Sequence, residues 1–293
     1  MKNYPSYITE ESLSWLIDNA IREDVGDGDH SSLSSVPAQA QEKAQLIIKD
    51  NGIIAGLELA EIIFKRIDKN FKVNLLLEDG ATVKKGDIGL TVEGSAQSIL
   101  KAERLVLNCM QRMSGIATHT AHLTQMIAHT KARLLDTRKT TPNFRILEKW
   151  AVSIGGGKNH RFALYDMIML KDNHIDYAGG ITKAVAGAQQ YAKDYLQKTG
   201  KTLRIEVETR NLAEVQEAIN VGGIDVIMLD NMSLEMMREA VKMIGNIAQT
   251  EASGGITEET IAGVAECGVD FISVGALTHA VKSMDISLKA IKK

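Results

Sequence analysis

Two rhythms of apolar and polar positions divide this chain. In the first third, Ala44–Lys49 and Gly52–Ala55 read as strands around an Asn51-Gly52 turn, Leu57–Ile67 as a helix, and Phe71–Leu77 and Asp87–Val92 as further strands. Thr9 precedes a helix running to about Arg22, with Leu13, Leu16, Ile17, Ala20 and Ile21 on one face. The pattern from Gln97 to about Thr130 is helical, with an interruption expected near Ser114-Gly115. This part reads as a small α+β domain.

From Arg133 onward the rhythm becomes a regular alternation of strand and helix. Strands are predicted at Arg133–Asp136, Tyr165–Leu170, Leu203–Glu208, Asp225–Leu229, Gln249–Ala252 and Phe271–Val274. Helices are predicted from Thr141-Pro142 to Gly155, over Ile181–Leu196, after the Asn211/Glu214 capping pair, over Ser233–Ile244 and over Thr257–Glu266. Because these strands are continuously apolar rather than alternating, they suit a parallel sheet buried on both faces. A closed β/α barrel and an open doubly wound sheet both fit, and six units leave any barrel short of the usual eight. Near the C-terminus, Met284, Ile286, Leu288 and Ala290 alternate with polar residues, a strand that could return to the first sheet.

The six strand ends carry the chemistry. They read Asp136-Thr137-Arg138-Lys139, Lys171-Asp172-Asn173-His174, Glu206-Val207-Glu208, Asp230-Asn231, Ser253-Gly254-Gly255 and Gly275-Ala276. Function in parallel β/α folds gathers at these carboxyl ends. Ser253-Gly254-Gly255, expected to run straight into a helix at Thr257, would offer free N–H groups and a helix dipole to phosphate oxygens. Glu208 and Asp230 could accept ribose hydroxyls or hold hydrated Mg²⁺. Only one of Glu206 and Glu208 is expected to look into the site, with Glu206 the alternative should Glu208 not serve.

Charge sharpens the picture where composition does not. The 293 residues total −3, which argues against a polyanion or membrane-surface partner, yet Arg104–Lys171 holds eleven Lys and Arg against three acids. That local +8 leaves −11 elsewhere and points to an anion site. Guanidinium forks suit a planar di-acid, so the residues alone suggest a phosphorylated sugar beside a small di-acid. Two cysteines, Cys109 and Cys267, exclude a disulfide scaffold. No apolar run reaches a membrane span and Met1–Glu10 has no signal-peptide core, so a cytoplasmic protein is expected. His119, His122 and His129 have helical spacing, but His122 and His129 lie seven apart with no partner acid, so they read as a solvated or core-flanking helix face rather than a metal site. Lys84 and Lys85 sit in ordinary turn sequence, which weighs against a biotinyl or lipoyl carrier.

Asp136-Thr137-Arg138-Lys139-Thr140-Thr141-Pro142, Gly155-Gly156-Gly157-Lys158-Asn159-His160-Arg161-Phe162 and Lys171-Asp172-Asn173-His174-Ile175, in this order, resemble the quinolinate phosphoribosyltransferase family over essentially the whole chain. The resemblance implies an α/β fold: an N-terminal α/β open sandwich (residues 1–115, completed by 281–293) and an incomplete TIM-like (β/α) barrel (116–280). It implies transfer of a phosphoribosyl group from phosphoribosyl pyrophosphate to quinolinate with decarboxylation, Mg²⁺ associated with the substrate, no organic cofactor, and a homodimer. By the same resemblance Thr137, Arg138, Lys139, His160, Arg161 and Lys171 would hold quinolinate and part of the second substrate, and Arg104 would be donated across the dimer. Lys139, Lys171, Glu208 and Asp230 would carry the catalytic work, with Glu208 and Asp230 on ribose and magnesium. Ser253, Gly254, Gly255, Val274, Gly275 and Ala276 would cradle the 5′-phosphate. Lys158 and Ala280 depart from the family's common residues without touching these positions. Relatives acting on nicotinate are the alternative, which the cation-rich pocket disfavours.

Overall fold

The computed structural model describes residues 4–291, so Met1–Asn3 and Lys292–Lys293, which the expected domain bounds include, lie outside the described residues. Along the chain the elements are α1 (Glu10–Val25), α2 (His30–Ser35), β1 (Gln41–Ile48), β2 (Gly52–Ile53), α3 (Leu57–Ile67), β3 (Lys72–Leu75), β4 (Thr82–Val83), β5 (Ile88–Ser95) and α4 (Ala96–Met126). They continue as β6 (Arg133–Leu135), α5 (Arg145–Ile154), β7 (Ile168–Leu170), α6 (Asp172–Ala178), α7 (Ile181–Thr199), β8 (Ile205–Thr209) and α8 (Leu212–Val221). The last are β9 (Val226–Asp230), α9 (Leu234–Ile244), β10 (Gln249–Ser253), α10 (Ile261–Ala265), β11 (Phe271–Ser273), α11 (Ala276–His279) and β12 (Ile286–Ala290). Two compact units form. One takes the residues up to Ala121, Lys139–Gly156 and those from Ala276 onward; the other takes His122–Arg138 and Gly157–Gly275. The units thus cut the chain more often than the expected boundary at 115/116, because α5 groups with the first unit.

In the first unit a four-stranded antiparallel sheet runs β12-β1-β5-β3. Leu46 of β1 pairs with Leu90 on one side and Leu288 on the other, all buried, so the alternating C-terminal segment does return to this sheet. Helix α4 runs unbroken for 31 residues through the expected interruption. Ser114 and Gly115 answer to packing instead. The Ser114 hydroxyl accepts the Ala55 N–H and donates to the Ala55 carbonyl, and a Cβ on Gly115 would meet the Lys282 carbonyl at 2.3 Å. Helix α5 starts later than Thr141-Pro142 predicts. Asn143 is left-handed at φ 62°, and Thr141 donates its N–H and hydroxyl to Glu148 rather than opening a helix.

The second unit holds six parallel strands in the order β6-β11-β10-β9-β8-β7. All six predicted strands are there. The first strand lies beside the last, a wrap-around order that a doubly wound sheet does not have, and it makes the unit a β/α barrel of too few strands. The open side lies between β6 and β7. There Lys158 donates its N–H to Leu134 and accepts from Asp136 N–H, an isolated parallel bridge on the free edge of β6. Helix α10 is only five residues long, because Thr257–Thr260 form a turn closed on the Thr260 hydroxyl. Ser253-Gly254-Gly255 therefore does not run straight into a helix at Thr257 and has no helix dipole directly behind it.

Candidate active site

Strand register places the predicted residues before any side chain is considered. Paired residues face the same side of a sheet. Glu206 pairs with Met169 and Val226, Glu208 with Met228, Met228 with Glu251, and Asp230 with Ser253. Glu206, Glu208, Asp230, Glu251 and Ser253 thus share one face. Lys171, Thr137 and Gly275 stand two residues beyond Met169, Leu135 and Ser273 and continue that alternation. The expectation that only one of Glu206 and Glu208 faces the site is corrected here. They are two residues apart, so both do, at different depths.

At the carboxyl ends, Glu208 is buried and accepts from Lys171 Nζ at 3.2 Å and from Asp172 N–H at 3.4 Å. Lys171 itself is exposed. Next along, Asp230 accepts from Asn231 Nδ2 at 2.7 Å, and Asn231 N–H donates to the Ser253 carbonyl at 2.9 Å. Gly254 and Gly255 both have positive φ, 90° and 58°. A Cβ on Gly254 would run into the Asn231 side-chain amide, so at this positive φ a larger residue would be strained and would have to displace that amide.

One layer deeper, the segment beside β6 is held by acids. Fully buried Asp136 accepts from Asn159 Nδ2 at 2.6 Å and from His160 N–H at 2.9 Å. His160 Nε2 lies 2.8 Å from Glu206 and 3.5 Å from Glu251, while its Nδ1 accepts the Arg161 N–H at 2.7 Å. Burial works against a charged ring, while the hydrogen bonds and charges of Glu206 and Glu251 pull its pKa upward. The Arg161 N–H opposes them, because it needs a lone pair on Nδ1. A proton there would abolish that bond, so we read the ring as the Nε2–H tautomer. Burial, and then the charge of Glu251, hold Glu206 above the usual carboxylate range against its bond to His160.

Arg161 is lowered from its ordinary value first by burial and then by Arg138. Two guanidiniums thus stand close enough to repel, a ready anion site. Arg161 also donates to the Met167 carbonyl at 3.3 Å.

His160, Glu206 and Glu251 offer ligand atoms within 4.8 Å of one another. They do not suit a metal. Both ring nitrogens are engaged, and Lys158, Arg161 and Arg204 line the same cavity. That cavity extends from Val226 and Phe271, which open β9 and β11, to Glu251 within β10 and Leu135 at the end of β6.

Arg104, Lys139 and Ala276 belong to the first compact unit, Arg104 exposed on α4 and Lys139 accepting the Thr278 hydroxyl at its carbonyl. Glu251 was not singled out in sequence. Its signal was there: a lone carboxylate within a buried strand. His122 and His129 are exposed as expected, but each does meet an acid, Glu258 and Glu266, brought near by folding.

An incomplete parallel barrel with cations, carboxylates and glycines on its strand ends is the architecture of a barrel enzyme handling anionic substrates. The family model described as quinolinate phosphoribosyl transferase, N-terminal domain, matches residues 29–114, and that of the C-terminal domain matches 116–289. The chain belongs to the quinolinate phosphoribosyltransferase family. It is 45% identical to the chloroplastic nicotinate-nucleotide pyrophosphorylase [carboxylating] of Oryza sativa subsp. japonica, over 98% of this chain and 78% of the rice protein. It is 42% identical to a probable nicotinate-nucleotide pyrophosphorylase [carboxylating] of Bacillus subtilis, over 94% and 92%. The crystal structure of NadC from Streptococcus pyogenes superposes with a TM-score of 0.90 at 38% identity, covering 98% of this chain and 100% of that one.

Proposed function

We propose that the chain transfers the phosphoribosyl group of phosphoribosyl pyrophosphate to quinolinate, releasing pyrophosphate and carbon dioxide and leaving nicotinate mononucleotide, a step of NAD biosynthesis. The observation that carries this reading is the face shared by Glu208, Asp230 and Ser253 at the carboxyl ends of β8, β9 and β10, together with the charge coupling of Arg161 to Arg138. Each guanidinium fork takes one carboxylate in two-point fashion, so the pair suits a planar di-acid better than a mono-acid. The two relatives named as carboxylating pyrophosphorylases support the same acceptor.

In this reading Thr137, Arg138, Arg161 and Lys171 hold quinolinate, and Lys139 meets the pyrophosphate. Arg104 of the partner subunit completes the pocket in a homodimer. Ser253, Gly254, Gly255, Val274, Gly275 and Ala276 receive the 5′-phosphate. Glu208 and Asp230, on adjacent strands and one face, fit the donor set of Mg²⁺, which takes one or two carboxylates and fills the rest with water and substrate phosphates. Mg²⁺ supplies charge screening for the departing pyrophosphate. With Glu206 engaged by His160, Glu208 is the carboxylate we assign to ribose.

The quinolinate nitrogen forms its bond to the ribosyl carbon as the carbon–oxygen bond to pyrophosphate breaks. Positive charge grows on the ribose, and the fixed carboxylates of Glu208 and Asp230 stabilise it. The ring nitrogen, now cationic, draws the electron pair left when the adjacent carboxylate departs as carbon dioxide, and that ring carbon takes a proton from solvent. No bond to the protein is needed, so positioning and charge account for the rate. The two cysteines are buried and unpaired, which suits a reducing, cytoplasmic setting. Parallel assays of quinolinate and nicotinate with phosphoribosyl pyrophosphate test the reading. We expect carbon dioxide release and mononucleotide from quinolinate; turnover of nicotinate alone overturns it.

A further inference from the structure

His160 sits among the residues that the family resemblance assigns to the substrate, yet both its ring nitrogens are already engaged. Nε2 faces Glu206 at 2.8 Å, Nδ1 accepts the Arg161 N–H at 2.7 Å, and the side chain is 8% exposed. An imidazole has no third nitrogen for a carboxylate. We propose that His160 is a positioning residue: Glu206 and Glu251 hold the ring, and the ring holds the main chain at Arg161. This rests on the proposed function, in which Arg161 binds quinolinate.

The need for such a device follows from where Arg161 lies. It follows the open side of the barrel, where the chain touches β6 through a single bridge at Lys158 and then leaves the ladder. No strand partner fixes the peptides beyond that point, so side chains do. Asp136 takes the His160 N–H and the Asn159 amide, and the His160 ring takes the next N–H. Arg161 must also stay beside a second guanidinium, from which it would otherwise swing away. A guanidinium free to move away loses its two-point hold on a carboxylate, which weakens binding of the acid.

The acids behind the ring are held at a cost. Glu206 Oε1 and Glu251 Oε1 are buried without a hydrogen-bond partner. For stability alone, apolar residues of similar volume would serve as well or better. Their presence is explained if they orient His160.

The test uses His160→Gln, Glu206→Ala, Glu206→Gln and Arg161→Ala, with thermal unfolding as the control for folding. We expect His160→Gln and Glu206→Ala to raise the quinolinate KM about tenfold or more with kcat within about threefold. Glu206→Gln, which keeps an acceptor, should recover most of the loss. In the Arg161→Ala background His160→Gln should add nothing. A further, additive loss there would mean that His160 meets the substrate itself and would overturn the proposal. Hydrogen exchange at the Arg161 amide gives a readout independent of turnover. It should quicken about tenfold or more in His160→Gln, and in Glu206→Ala should the first variant fail to fold; unchanged exchange overturns the inference. Wild-type protein inactive on quinolinate would count against the proposed function, while the amide measurement would still decide this one.

Discussion

Glu206 and Glu208 stand on the same face of β8, two residues apart, yet meet different partners: His160 at 2.8 Å and Lys171 at 3.2 Å. Depth separates their roles. Glu206 is wholly buried beneath the site, and Glu208 lies at its floor, bonded to an exposed lysine.

The two glutamates should therefore fail differently. Glu208→Gln is expected to lower kcat by about a hundredfold or more, since in the proposed reaction it removes a charge facing the developing cation. Its melting temperature should change little, because the glutamine amide oxygen still accepts from Lys171, the nearer of the two donors that Glu208 meets. Glu206→Ala should instead lower stability by about 1–3 kcal/mol, leaving the buried His160 N–H without its acceptor. Turnover and thermal unfolding on both variants separate the two; equal kcat losses would contradict the assignment.

Gly254 carries a steric demand that a mutation can read directly. An alanine there would face backbone strain at φ 90° and contact with Asn231 Oδ1, the side chain that also bonds Asp230. Strain of this kind costs about 1–3 kcal/mol. Gly254→Ala should raise the KM for phosphoribosyl pyrophosphate more than that for quinolinate, as measured by varying each substrate in turn.

What the chain reveals before folding is uneven for physical reasons. Barrel strands such as β9 and β11 were legible as short apolar runs with polar or glycine ends, β8 and β10 less so because Glu206 and Glu251 interrupt them, and α3 was legible because its apolar stripe is complete. Ser114-Gly115 read as a break because the reason for that glycine, the Lys282 carbonyl, lies far along the chain. Thr141-Pro142 looked like a helix start, but Glu148 claims the Thr141 donors. In the same way, His160 could be placed by its motif, while Glu251 becomes its partner only when β10 lies near the β6 edge. Pairings that depend on strand order cannot be read from local spacing.

The homodimer with a pocket shared between subunits that we propose makes a prediction about mixtures. Arg138→Ala and Arg104→Ala homodimers should each lose most quinolinate turnover. Mixed and reassembled, they should recover part of it, because a hybrid pairs one intact Arg138 with an intact Arg104 of the partner subunit in one of its two pockets. Turnover that stays at the level of the separate variants would show that the two arginines serve the same chain.

Asp79 supplies a pH dependence unrelated to catalysis. Helix α3 has Gly56 at its N-cap and no side-chain cap of its own; Asp79 takes that part from outside, accepting the Leu57 N–H at 2.8 Å and the Glu58 N–H at 3.4 Å. Burial raises its carboxyl to about 6, against the pull of those N–H groups and with the help of the Glu58 charge. An unfolded chain releases this proton near 4, so between about 4 and 6 the folded state binds more protons than the unfolded one. Stability from this group is then greatest at the acid end and falls as pH rises through that window, levelling off above about 6. Asp79→Asn stays neutral throughout and loses the slope. Urea unfolding of both proteins at several pH values should show the wild type losing ground to Asp79→Asn from pH 4 to pH 7. A wild type that instead gains on the variant over that range would mean that the N–H bonds to the charged carboxylate outweigh its burial.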